Sequence, residues 1–145
     1  MNAITLNTMT GSVSEYTGFG FQSITPTLAG SATGLFGLGG DTDAGLPIVA
    51  TATTGKRLWG GTLKKTAQMV YFSLKGSGTS AMTVVGERTS HSYPFPVRPD
   101  GQSRSKPGLG IRENYLAFGY SNTDGADFQL DRIEVLVAES NNRRV

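Results

Sequence analysis

The sequence predicts an all-β fold, an antiparallel β-sandwich with long loops, and three observations carry that reading. Glycine supplies 20 of the 145 residues and serine and threonine are frequent, which suits short strands joined by tight turns. Strong helix formers never cluster at helical spacing, whereas apolar side chains alternate along several short runs. Two pairs of such runs are each joined by a short glycine-containing segment, the pattern of an antiparallel hairpin.

The first pair is AQMVYFSLK at residues 67–75 and AMTVV at residues 81–85, separated by Gly76, Ser77, Gly78, Thr79 and Ser80. Val70, Phe72 and Leu74 share one face, and Met69 and Tyr71 the other, so this strand is expected to be central. The second pair is residues 114–120 with residues 127–138, joined through an Asp124-Gly125 turn signal that calls for positive φ. Phe128 and Leu130 alternate in one phase, and Ile133, Val135 and Val137 in the other. That change of phase implies a bulge near Asp131 and Arg132, or burial on both faces.

The first third is punctuated by glycines, with strand-like runs at residues 3–6, 19–24 and 47–53. Residues 34–40 read as a strand or as a loop ordered by a neighbour, and residues 1–45 as an extended arm that orders at an interface. Residues 91–110 hold four of the six prolines and read as a long loop with exposed bases, because proline removes a ladder donor. One domain over 1–145 is expected, large enough to bury a core.

Several chemistries are excluded at this level. The absence of cysteine removes disulfides, thiolate metal sites and thiol nucleophiles. No apolar run reaches the roughly 18–20 residues that span a bilayer, and the N-terminus lacks a signal-peptide pattern. The expectation is a complete, soluble, unexported chain. His91 is the sole histidine and lacks the partner set of a catalytic triad. Asp41 and Asp43 in GGDTDAG resemble the start of a calcium loop, but Ala52 stands where the closing glutamate belongs. Around Gly55-Lys56, Ala50 and Arg57 occupy the positions where a phosphate loop needs glycine and a hydroxyl. No catalytic, metal or cofactor residue is assigned, and an enzyme ranks last among the readings.

Charge is segregated along the chain. Residues 1–55 carry three acids and no base, residues 56–112 ten bases and two acids, and residues 113–145 three bases and six acids. Opposed blocks of this kind suit contact between copies or with a charged protein. The expected interface is Tyr93, Phe95, Arg98, Arg104 and Lys106, with Arg112 nearby. Arg143 and Arg144 join it if the tail is an arm into a neighbouring subunit rather than a frayed end. Aromatics beside bases also suit nucleic acid, but a net charge of +2 with acidic flanks ranks that partner below protein.

Residues 128–135, Phe-Gln-Leu-Asp-Arg-Ile-Glu-Val, resemble the closing strand of galactose-binding-like jelly rolls. The resemblance implies a jelly-roll-like sandwich and carries no ligand residue. The cysteine-free chain, with GADFQLDRIEV, the ending SNNRRV, and YPFPVR before a polar loop, resembles the small glycine-rich structural proteins of tailed bacteriophages. That resemblance implies a virion component of neck, tail or head surface, made in the host cytoplasm. It further implies that the chain assembles as a ring or cluster with copies of itself and other virion proteins, away from membranes. The rival is a carbohydrate-binding module for host glycans, with Trp59, Tyr93, Tyr115 and Tyr120 as its aromatic platform.

Overall fold

The computed structural model describes residues 3–16, 19–40, 42–43, 45–99 and 101–140. Among them there is no helix, and strands follow one another throughout. The chain forms two compact units, residues 1–40 and 41–145. The segment expected as an extended arm therefore holds folded strands of its own.

In the first unit, β1 (Ala3–Leu6) and β2 (Val13–Tyr16) form an antiparallel hairpin. Its turn is built by Asn7, whose side-chain oxygen accepts the amides of Met9 at 3.0 Å and Thr10 at 3.2 Å. A three-stranded sheet follows, from β3 (Ser23–Ile24), β4 (Leu28–Ser31) and β5 (Gly34–Gly37). Residues 34–37 are thus a strand, whereas only the end of the run at 19–24 is one.

The second unit opens with a short ribbon of β6 (Thr42–Asp43) and β7 (Leu46–Pro47). Seven strands then build an antiparallel sandwich: β8 (Thr51–Thr53), β9 (Lys65–Gly76), β10 (Thr79–Val85), β11 (Ser90–Pro96), β12 (Gln102–Ser105), β13 (Ala117–Ser121) and β14 (Phe128–Glu139). One layer has the order β11-β10-β13-β8 and the other β12-β9-β14. The all-β antiparallel sandwich expected from the sequence is what the chain forms. Its layers hold four and three strands, against the eight strands of a complete jelly roll.

The core lies between the layers. Val70, Phe72 and Leu74 of β9 face Met82, Val84, Phe95, Phe118 and Tyr120 of the other sheet. The rings of Phe72 and Phe95 stack at 4.9 Å, and Tyr120 meets Phe128 at 4.7 Å. Buried hydroxyls are satisfied locally, with Ser80 Oγ and the Tyr120 hydroxyl 2.8 Å apart.

Both expected hairpins are corrected by the strand order. β9 and β10 follow each other closely but lie in different layers, as do β13 and β14. Each short connection crosses from sheet to sheet instead of folding back within one. Gly78, with φ 79°, and Gly125, with φ 71°, supply the backbone reversals. The crossing at 122–127 is held by the buried Asn122. Its Oδ1 accepts the Ala50 amide at 2.6 Å, and its Nδ2 donates to Ile48 O at 3.1 Å and Ala126 O at 2.9 Å. Asn122→Ala removes all three bonds and is expected to cost about 2–3 kcal/mol, read from urea unfolding midpoints.

The bulge at Asp131 is present. Leu130 pairs with Leu74 and Arg132 with Ser73, so Asp131 is the extra residue, and Leu130, Ile133 and Val135 all turn inward. A second shift, where Ala67 pairs with Val137 and Met69 with Leu136, makes Gln68 the extra residue on β9. The two insertions offset each other along the pair.

Residues 91–110 are not a single loop, which corrects that expectation. They supply most of β11, a short link, and β12, both edge strands. Val97 donates its amide to Gly78 O at 3.0 Å, and Gly86 to Thr89 O at 2.8 Å. The two-residue period between these bonds puts the nitrogens of Pro94 and Pro96 on the open side of β11, where no ladder donor is needed.

Candidate protein interface

The structure separates the residues expected to form one interface. Tyr93 and Phe95 lie on the inward face of β11, opposite Met82 and Ser80. Phe95 is only 4% exposed and stacks on Phe72. It belongs to the core, because the strand that its flanking prolines left possible is an edge strand with one buried face. Tyr93 is half-buried beside Gly108 and helps line a depression of about 360 Å³ with His91, Arg112 and Glu113.

Arg104 and Lys106 are exposed, while Ser103 and Ser105 between and beside them are buried. Arg104 stands in a cross-strand row with Tyr71 and Glu134 on the outer face of the three-stranded sheet. In that face Arg132 Nη2 meets Glu134 Oε1 at 2.6 Å. Arg98 is exposed in the link between β11 and β12, where its amide donates to Ser103 Oγ at 2.9 Å. Arg143 and Arg144 lie outside the described residues, as does Asp41.

Two of the aromatics proposed as a glycan platform have structural tasks. Trp59 adopts φ 48°, donates Nε1–H to Leu116 O at 2.8 Å, and sets its ring edge-on to Phe118 at 5.3 Å. Tyr120 is buried in the core. Among the described residues no group of three His, Asp or Glu side chains gathers as a metal site, and no helix is long and apolar enough to cross a membrane.

The feature that sequence reasoning missed is in the first unit. Its one fully buried hydrophobic residue, among those described, is Ala29. Ile4 is 74% exposed, Met9 95% and Leu35 71%, with Leu6, Val13 and Ile24 also largely open. Ile4, Leu6 and Val13 share one face of the β1–β2 hairpin, by register with Glu15 and with each other. Beside them Phe19, Phe21, Ile24 and Leu38 line an apolar trough of about 620 Å³. Phe21 contacts Phe19 at 4.5 Å and Phe36 at 5.5 Å, so the rings cluster without being enclosed. A signal was present in the sequence: residues 1–40 contain a single charged side chain, Glu15.

Comparison of the chain with protein-family models, curated proteins and solved structures finds no match in any of the three.

Proposed function

We propose that this chain is a non-catalytic structural subunit of a tailed-bacteriophage virion, in the neck, tail or head surface, and that it works by packing against other protein subunits. The observation that carries the reading is the open apolar surface of residues 1–40. A unit of about 40 residues usually needs a staple or association to be stable, and among its described residues this one fully buries only Ala29 of its hydrophobic side chains. The chain has no cysteine to cross-link it. Contiguous apolar surface of this kind marks protein contact sites. The sandwich of residues 41–145, by contrast, encloses a core between its two layers, with its buried Ser80 and Tyr120 hydroxyls paired.

The viral assignment draws on the sequence resemblance to small glycine-rich virion proteins. Its test is composition of the particle. Purified particles of the phage that encodes the chain are expected to contain it in a fixed, repeated copy number by quantitative mass spectrometry. A chain abundant in infected cells but missing from washed particles ends the virion reading.

A further inference from the structure

We infer that the apolar face of residues 1–40 closes on the same face of further copies of this chain, a reading that rests on the assembly role proposed above and names its partner. The argument turns on charge. An apolar face gains free energy by burial only against a surface with few charges, because a carboxylate or ammonium desolvated without a partner is costly. Residues 1–40 carry one charged side chain, the exposed Glu15 opposite Ile4, whereas residues 41–145 carry all 13 lysines and arginines and 10 of the 11 acids. The face and the partner it requires thus have the same character, and a second copy presents that character at the same place.

Strand edges point the same way. Among the described residues β1 and β2 pair only with each other, and β3 and β5 bound a three-stranded sheet. Two-stranded ribbons are marginal alone in water and gain by joining further strands or a covering layer. Identical copies offer identical edges and identical apolar faces, so one symmetric association covers both. Ile4, Leu6 and Val13 on the hairpin, with Ile24 at the trough, are the side chains that would meet first. Each is at least 60% exposed, and none belongs to the buried core cluster.

Sedimentation velocity on the full chain tests this, from low micromolar concentration upward. The expected result is a discrete oligomer for the wild type. Ile4→Asp and Ile24→Asp should each raise the dissociation constant about tenfold or more, and together give a monomer. Leu136→Asp, an exposed apolar position on the outer face of β14, should leave the mass unchanged. Ile24→Cys gives the chain a single thiol and should form a disulfide between copies under oxidation, a readout independent of the charged variants. A wild type that stays monomeric at every concentration overturns the inference, as does an oligomer that survives the double substitution. A monomer still found in particles would mean that a different virion protein covers the face, so the virion reading stands while self-association fails. An oligomer absent from particles would do the reverse.

Discussion

Phe72→Ala is expected to destabilise the sandwich by about 3–5 kcal/mol, enough to consume much of the stability of a domain this size. Phe72 is fully buried at the centre of β9, which is itself the middle strand of its layer. Its ring lies nearly parallel to Phe95, at an interplanar angle of 9°, and tilts against Tyr120 at 5.7 Å. Both partners belong to the opposite sheet, so truncation opens a cavity at the seam between layers, where neither sheet can relax without moving the other. Urea unfolding followed by fluorescence or circular dichroism measures the loss. Tyr71→Ala, one residue away on the outer face, should cost far less, and similar losses at 71 and 72 would contradict the layer assignment.

The second large effect is expected at Lys65. This side chain is entirely buried at the start of β9. Its ammonium donates to the carbonyls of Gly61 and, at 2.9 Å, Leu63, and lies 3.6 Å from Glu139 Oε1. The magnitudes decide which contact matters. Glu139 is 45% exposed, and a half-solvated ion pair is worth about 0–1 kcal/mol. Bonds from a charged donor to part-buried carbonyls are worth about 1.5–3 kcal/mol each. Lys65→Met, which keeps the stem and removes the charge, is therefore expected to cost about 2–4 kcal/mol. Glu139→Gln should cost about 1 kcal/mol or less. If Glu139→Gln proves the more damaging in chemical denaturation, the ammonium is held by the carboxylate and this account of the loop before β9 is wrong.

Elements were more legible in the sequence than their pairing. The alternation over 67–75 and 81–85 correctly locates β9 and β10, and puts Val70, Phe72 and Leu74 on one buried face. The phase change after Leu130 pointed to a bulge near Asp131 and Arg132 or to burial on both faces, and the strand pairing settles it as a bulge at Asp131. Which strands bond was not legible. An alternating run, a glycine and a second alternating run look alike whether the chain folds back into its own sheet or bends across to the other.

Phe95 was misplaced for a related reason. Its proline neighbours read as loop, but at alternate positions of an edge strand they face away from the ladder and leave Phe95 free to enter the core. The open face of residues 1–40 was illegible in another way. Periodicity tells which side chains share a face, and it does not tell whether anything covers that face. Charge content did carry that information, since residues 1–40 hold only Glu15. The segment-by-segment charge count pointed instead to the basic middle, where Arg98 lies in a link, Arg104 on an outer sheet face, Arg112 beside a depression and Lys65 in the interior.

The crossing connections have a consequence for how the chain must acquire its shape. Of the five strand pairings in the sandwich, only β10 with β11 joins neighbours in sequence. β9 waits for β12 and β14, and β10 waits for β13. Such wiring gives slow folding, because distant segments must be brought together before any of them is rewarded. During synthesis neither layer is complete until residues beyond 117 have left the ribosome, and the three-stranded layer needs the very last strand. Loss of the final fifteen to twenty residues would remove a third of that layer's strands and strip the middle strand of one neighbour, so late truncations should yield no folded sandwich at all.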